Sequence, residues 1–414
     1  MNDAIKPVPS FSVQVLVFGA TALAMLGTYY TYDSVGPVAT LLSRQLGFSD
    51  LQIGSLNAVY SLPNIFLPLV GGILIDRYGA RTVMLATSVI CLAGASLTAL
   101  GDHFALMLCG RFLFGTGAET LFVSITTALA QWFVGRHFVL WYTLNMSLGR
   151  LGSYLADRSP SFARPLYEHG WQAPLWLAAG FAGIAFLGAL VYWWTDRDQA
   201  KRGVRTAFAG GEPIHWANLF RLRREYWYLV GVCVAFYGVI FPFRSTFAIK
   251  FFQETRGLTL EDASRTNSYV FLAAIIATPM FGLLADRIGR HALLLVGGSL
   301  LLPLSFVCLG APQVSLWIPT TLLGTSFSLV PAILWPSVAK YAEPGQRGTA
   351  FGLITLVQQT GLTLVNLCAG YLNDRAIDYG SPLKNYAGML WFFGLLSFTG
   401  CVFAVLLKRR EASN

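Results

Sequence analysis

The sequence contains few charged side chains and none of the short motifs that mark common enzyme families. Asp, Glu, Lys and Arg make up 12% of its 414 residues, whereas a soluble globular chain has about 25%. Apolar residues reach 55%. The signatures of ATP-driven transport, nicotinamide chemistry and membrane proteolysis are missing, since no GxxxxGKS/T loop, GxGxxG fingerprint, HExxH helix or GxSxG elbow occurs. We therefore predict a helical membrane protein that is not an enzyme.

The sequence also has little that would bind a metal, a cofactor or nucleic acid. Its six cysteines lie in apolar stretches without a CxxC pair, and its five histidines lie in loops or at the ends of apolar stretches. A formal net charge of +9 would suggest nucleic acid in a soluble protein. No zinc-finger spacing or RNA-binding signature accompanies that charge. We predict no metal, no cofactor and no nucleic-acid partner.

Apolar runs separated by Gly, Pro and charge clusters predict twelve membrane-spanning helices. Each run is close to the length of about 20 residues that crosses the hydrocarbon core of a bilayer. The predicted spans are 12–35, 51–75, 82–100, 104–133, 138–158, 173–194, 226–252, 260–285, 292–310, 314–341, 348–373 and 385–407. The expected fold is an all-α membrane protein embedded in the lipid bilayer.

An internal repeat divides these spans into two copies of six. The residues that align at an offset of 209 or 210 are Asp76 with Asp286, Gly79 with Gly289, Gly115 with Gly324, and Gly152 with Gly361. An even number of spans separates the copies, so the halves are parallel and place a substrate at their interface near the midplane. We predict an N-terminal half at 1–194, a cytoplasmic linker at 195–225 and a C-terminal half at 226–414.

The distribution of basic residues predicts the orientation of the spans. With the linker and both termini in the cytoplasm, 18 Lys and Arg lie on the inner side, 7 on the outer side and 4 inside spans, as the positive-inside rule requires. The sequon at Asn145 lies inside a span and cannot be glycosylated. Together with short tails, this favours a prokaryotic inner membrane, and we expect a monomer.

Two loops at corresponding places in the copies share a pattern of Gly, Asp and Arg. The first runs from Gly72 to Arg81 and the second from Gly282 to Arg290. The pattern resembles the loop signature of the major facilitator superfamily, which implies that family's fold of twelve helices in two halves. The resemblance also implies that these loops steady a cytoplasmic gate, and the residues concerned are Asp76, Arg77, Gly79, Asp286 and Arg287.

Further segments in both halves resemble one branch of that superfamily, the lysosomal dipeptide uniporters and their prokaryotic relatives. These segments are Gly110 to Leu121, Leu144 to Ser153, Tyr32-Asp33, Tyr60-Ser61, Pro63-Asn64, Phe241 to Phe243, Lys250 to Phe252, Leu334 to Pro336 and Gly348 to Gly352. The resemblance covers essentially the whole bundle. It implies carriage of small peptides with free termini through a site that uses an acid and an arginine.

Six charged residues fall well inside predicted spans, where each costs about 2.5–3.5 kcal/mol. They are Asp33, Arg111, Glu119, Arg150, Arg244 and Lys250. Glu119 and Arg150 lie near the middle of neighbouring spans, so the carboxylate can hold an ammonium while the guanidinium clamps a carboxylate. We predict that this pair binds a zwitterion. The alternative is a permanent salt bridge between the two helices, although buried pairs are weak stabilisers.

The other four charges have more than one interpretation. Asp33 and Arg111 either pair with each other or belong to an outer gate. Arg244 lies deeper on the seventh span and is a candidate for a second cation that binds substrate. Lys250 lies nearer the outer end, and we expect its ammonium to reach the membrane surface.

Neutral residues complete the predicted site. Tyr60, Tyr237 and Trp335 are candidates for lining a cavity with apolar faces that tolerate varied side chains. Gln359 aligns with Arg150 in the repeat, and its amide can bind a peptide or join two helices.

The sequence thus predicts a carrier of small zwitterions, above all dipeptides, that works by alternating access. Two rivals remain open. Four cations against two anions inside the spans also suit a proton-coupled organic anion transporter, and a receptor without transport is a further alternative. The sequence does not decide between uniport and proton coupling through Glu119.

Overall fold

The computed structural model describes residues 10–133, 138–202, 222–288, 291–342, 347–376 and 385–411. Within these ranges the chain forms helices and short connections and contains no strand. The helices divide into those before the linker and those after it. Most of the predicted linker, residues 203–221, lies outside the described part of the chain.

Helices α1 to α9 precede the linker. Their bounds are Phe11–Asp33 (α1), Val35–Leu46 (α2), Asp50–Ser61 (α3), Leu67–Tyr78 (α4), Ala80–Leu100 (α5), Phe104–Trp132 (α6), Phe138–Phe162 (α7), Arg164–Glu168 (α8) and Gln172–Lys201 (α9). A 3₁₀ turn at Pro63–Ile65 separates α3 from α4. Proline cannot donate the backbone hydrogen bond that a continuous helix needs, so this span is broken there.

Helices α10 to α16 follow the linker. Their bounds are Arg224–Phe241 (α10), Ala248–Arg256 (α11), Leu260–Ile288 (α12), His291–Leu309 (α13), Trp317–Tyr341 (α14), Arg347–Asp374 (α15) and Ala387–Glu411 (α16). A π-helical turn at Pro242–Phe247 joins α10 to α11 within one long span. Such turns add a residue to the helical repeat and are frequent at functional sites.

The structure confirms the predicted fold class of an all-α membrane protein. Nine helical segments in the described ranges are long and apolar enough to cross a bilayer, or ten if the bent pair Asp50–Ile65 and Val70–Tyr78 is one span. Helices α7 and α12 are also long, with 25 and 29 residues. They carry charged and polar side chains that face each other across the bundle, which lowers their hydropathy.

The helices before and after the linker meet along one interface. Helix α3 packs against α15, α7 against α12, and α2 against α11. Asp374 at the end of α15 accepts hydrogen bonds from the backbone N–H groups of Asp50 and Leu51 at the start of α3, at 2.8 and 2.9 Å. We call the end of the bundle where Asp50 lies the closed end. The contacts between the two groups extend from the middle of the bundle to this closed end.

Two glycines explain how closely the helices approach at this interface and within the first group. A Cβ at Gly54 would lie 2.6 Å from the carbonyl oxygen of Asn366 on α15. A Cβ at Gly115 on α6 would overlap the carbonyl oxygen of Tyr60 on α3. Both positions therefore need glycine for backbone contact between helices.

The division of the chain into an N-terminal half at 1–194 and a C-terminal half at 226–414 stays a prediction.

Candidate functional site

Glu119 lies halfway along α6, at the interface between the two groups of helices. Its carboxylate accepts a hydrogen bond from Nε2 of Gln359 on α15 at 3.3 Å, and the Tyr60 side chain also hydrogen-bonds to it. Both partners are neutral. The acid therefore lies in the middle of the bundle with polar contacts, and none of the described cations pairs with it.

Arg150 lies halfway along α7 and contacts α12 of the other group. Its Nη1 donates to the carbonyl oxygen of Ala274 at 3.1 Å and to the hydroxyl of Thr278. The guanidinium carbon lies 5.4 Å from the centre of the Phe327 ring, which is a cation–π distance. Again the partners are neutral, so the guanidinium has no bound carboxylate.

The two charges do not form a salt bridge with each other. Among the described residues, no ion pair within 4.0 Å joins Glu119 to Arg150. Tyr29 on α1 interacts electrostatically with both, so one side chain of α1 lies between an acid and a base. The permanent salt bridge considered from the sequence is wrong. Sequence reasoning missed Tyr29, which lies one helical turn before the Tyr32-Asp33 pair.

Tyr237 and Trp335 lie together on the Arg150 side of the site. The indole N–H of Trp335 donates to the Tyr237 hydroxyl at 2.8 Å, and Tyr237 interacts electrostatically with Arg150. Gln359 is 5% exposed, and within the described part of the chain its Oε1 has no hydrogen-bond partner. An unpaired buried acceptor costs free energy, so this oxygen is available to a donor on a ligand.

An aromatic layer separates this site from the closed end. The ring of Tyr32 lies 4.6 Å from that of Tyr60 and 6.3 Å from that of Phe241. Phe241 contacts Phe327 at 5.7 Å, and Phe327 contacts Phe271 at 5.7 Å. The rings come from both groups of helices. In this conformation the rings cover Glu119 and Arg150 on the side of the closed end.

Beyond the aromatic layer, Arg244 joins the two groups through buried ion pairs. It is 2% exposed. Its Nη2 lies 2.9 Å from Oδ1 of Asp33 on α1 and 3.7 Å from Oδ1 of Asp157 on α7. Its guanidinium carbon lies 3.7 Å from the Phe271 ring centre. The expectation that Arg244 binds substrate is wrong for this conformation, because two carboxylates already engage it.

Asp157 is a functional candidate that the sequence analysis did not single out, because it lies at the very end of the predicted span 138–158. The structure continues α7 through Phe162, and Asp157 is 1% exposed. Asn267 on α12 donates to its Oδ2 at 3.0 Å. Asp157 follows Arg150 by seven residues, which puts both side chains on one face of the helix. The seven-residue spacing from Arg150 is the sequence signal that could have identified Asp157.

Lys250 is buried in a contact within the protein, so the expectation that its ammonium extends to the membrane surface is wrong for this conformation. It is 8% exposed and pairs with Asp50 on α3, with Glu254 at 3.8 Å. Helix α11 packs against α2 in the closed end, which buries the ammonium beside a carboxylate. Asp50, which lies just before the predicted span 51–75, is therefore part of the contact between the groups.

Arg111 and Asp33 do not pair with each other, because Asp33 pairs with Arg244. The Arg111 guanidinium donates to the carbonyl oxygens of Thr31, Tyr32 and Leu56 at 3.2–3.3 Å and to Oδ1 of Asn57 at 2.6 Å. It is 2% exposed. It thus ties α1, α3 and α6 together by satisfying the carbonyl groups near the end of α1.

The residues of the two signature loops lie at the end of the bundle opposite Lys250. Asp76 and Arg77 are exposed, and Gly79 has a φ of +81°, which favours glycine. Arg287 is exposed, while the side chain of Asp286 lies outside the described part. Their predicted role in a gate stays a prediction. Within the described residues, no group of three His, Cys, Asp or Glu side chains is arranged to hold a metal.

Comparisons with known proteins agree with this architecture. The sequence profile described as "Major Facilitator Superfamily" matches residues 17–366 and 267–414. The chain is 31% identical over 373 residues to "Lysosomal dipeptide transporter MFSD1" of Danio rerio, covering 87% of this chain and 81% of that protein. It is 22% identical to "Probable sulfoacetate transporter SauU" of Cupriavidus necator, covering 92% of each.

A solved structure shares the fold. The bacterial homologue of the human lysosomal transporter Spinster, in an inward-facing and unoccupied conformation, matches with a TM-score of 0.74 and 13% identity. The match covers 97% of this chain and 98% of that one.

Proposed function

Because the chain belongs to the major facilitator superfamily of transporters, we propose that it carries small zwitterions, above all dipeptides, across a membrane. The observation that carries this proposal is the pair Glu119 and Arg150. An acid and a base lie at the middle of the interface, and each is bound only by neutral groups. A ligand with an ammonium at one end and a carboxylate at the other would satisfy both at once.

The similarity to transporters named for dipeptides supports this substrate class. A dipeptide of two small residues has its charged ends separated by one peptide bond, and Gln359 has an unpaired acceptor for the intervening N–H. Tyr60, Tyr237 and Trp335 supply aromatic surface for varied side chains.

We further propose that substrate reaches this site by alternating access. The ion pairs of Arg244 and Lys250 and the aromatic layer close one end of the interface. With the N-terminus in the cytoplasm, as the basic residues predict, that end faces outward and the structure represents an inward-facing state. The two halves, 1–194 and 226–414, would rock about the central site in a monomer within a prokaryotic inner membrane.

A second candidate is an organic anion, because Arg150 is a cation with neutral partners and one relative is named for sulfoacetate. Such a substrate would use the guanidinium and leave Glu119 without a role. The two candidates therefore differ in what they require of Glu119.

Counterflow into proteoliposomes distinguishes them. Labelled dipeptide uptake should be competed by unlabelled dipeptide, but not by its N-acetylated form, its C-terminal amide or sulfoacetate. Glu119→Gln and Arg150→Ala should each reduce counterflow at least tenfold, since each removes about 1.5–3 kcal/mol of charge-assisted hydrogen bonding. Sulfoacetate uptake that survives Glu119→Gln would favour the organic anion.

The matched controls are Glu168→Gln and Arg164→Ala. These residues form an exposed ion pair at 2.8 Å on α8, with side chains 59% and 70% exposed. Exposed pairs contribute little, so both controls should transport normally. If the Glu119 and Arg150 variants also transported dipeptide normally, the proposed site would be wrong.

A further inference from the structure

The two charges of the proposed site are held by groups whose polarity matches the two ends of its proposed substrate. The guanidinium of Arg150 donates to two neutral oxygens on α12, the Thr278 hydroxyl and the Ala274 carbonyl. The carboxylate of Glu119 accepts from an amide N–H of Gln359 on α15. Two oxygens thus occupy the place of a substrate carboxylate, and an N–H donor occupies the place of a substrate ammonium.

All of these partners come from the second group of helices, whereas Glu119 and Arg150 belong to the first. The contacts therefore bridge the interface that must rearrange during transport. They resemble in polarity and position the bridges that a bound zwitterion would make between the same two groups.

An empty carrier needs such partners in order to return. During the return step the site passes through a state in which both ends of the interface are closed. An ionised side chain without a partner is costly there. If only the substrate could supply partners for the two charged side chains, the carrier would return only when loaded. It would then exchange one substrate molecule for another without net transport.

We propose that Thr278 and Gln359 are positioning residues that stand in for the substrate during the return of the empty carrier. This inference rests on the proposed function, because it takes the zwitterion site as given. The substrate displaces the two residues from Arg150 and Glu119 when it binds, and they re-engage when it leaves. Net transport depends on both contacts, while exchange of one substrate molecule for another does not depend on the Thr278 hydroxyl.

Thr278→Val tests this role because it removes the hydroxyl and nearly conserves the volume. Net efflux of a labelled dipeptide into substrate-free buffer requires the empty return, whereas counterflow uses loaded carriers in both directions. We expect net efflux to fall about tenfold, equivalent to about 1.4 kcal/mol, while counterflow stays within about twofold of wild type. The Ala274 carbonyl remains, so the loss should be partial.

Three further variants make the test specific. Thr278→Ser keeps the hydroxyl and should restore net efflux. Gln359→Leu removes both a donor to Glu119 and the amide oxygen proposed to bind the peptide N–H, so it should reduce net efflux and counterflow together. Thr355→Val is the matched control, since the Thr355 hydroxyl on α15 bonds only to its own helix, at the Phe351 carbonyl, and is exposed.

The outcomes separate the two proposals. Wild-type protein that shows no dipeptide counterflow would refute the proposed function itself. Wild-type counterflow with equal losses of net efflux and counterflow in Thr278→Val would refute the stand-in role and leave the proposed function in place. Unchanged net efflux in Thr278→Val would refute the stand-in role as well.

Discussion

Replacing Arg244 by glutamine should open the closed end. The guanidinium lies 2.9 Å from Asp33 and 3.7 Å from Asp157, and all three side chains are 1–2% exposed. At an effective dielectric constant of about 20, these distances correspond to attractions of about 6 and 4.5 kcal/mol before desolvation is subtracted. Breaking a buried pair by removing one partner costs about 3–5 kcal/mol. The loss is smaller once the halves separate, because water then reaches both carboxylates.

The change in opening can be measured with a cysteine at Ile249. This residue is 1% exposed, and its Cδ1 lies 3.7 Å from where a Cβ would stand on Gly36 of the first group. In a background without the six native cysteines, the labelling rate of Ile249→Cys by an impermeant maleimide reports opening. A shift of about 3 kcal/mol corresponds to an increase of roughly 100-fold.

Two controls test the reasoning. Arg202→Gln removes an ion pair of the same 2.9 Å length whose side chains are 68% and 44% exposed, and it should leave labelling unchanged. Adding Asp33→Asn to Arg244→Gln removes one of the stranded carboxylates and should return part of the protection. An Arg244→Gln rate within threefold of the parent, or faster labelling in the double variant than in the single one, would refute the assignment of Arg244 to the closure.

Two further predictions concern packing and charge. Gly115→Ala should lower the stability in detergent by about 1–3 kcal/mol, because its Cβ would overlap the Tyr60 carbonyl. The control Gly183→Ala should be neutral, since no atom lies within 4 Å of the added Cβ. Equal melting temperatures of the two variants would contradict the close approach of α6 to α3. Lys250→Met should lower the melting temperature more than the double variant Lys250→Met/Asp50→Asn does, since the single change leaves the buried Asp50 carboxylate without its cation. A double variant that melts at a lower temperature than the single one would contradict this pairing.

The spans and the repeat could be predicted from the sequence because hydropathy and duplicated glycines are local signals. The partners of the buried charges could not. Lys250 lies near the end of its span in sequence, but its burial depends on Asp50, 200 residues away. Asp157 lies at the end of the predicted span 138–158, and its pairing with Asn267 of the other group is not visible in the sequence. The positions of Glu119 and Arg150 were visible from spacing alone, whereas the contacts of Arg150 with α12 required the structure.

The ion pairs that cross the closed end take their acids from the first copy of the sequence repeat and their bases from the second. Asp33, Asp157 and Asp50 belong to the first copy, while Arg244 and Lys250 belong to the second. Two first copies facing each other would set carboxylate against carboxylate, and two second copies would set cation against cation. These ion pairs therefore make the two groups of helices complementary and not interchangeable. Expressed as separate polypeptides, they should assemble only as a heterodimer.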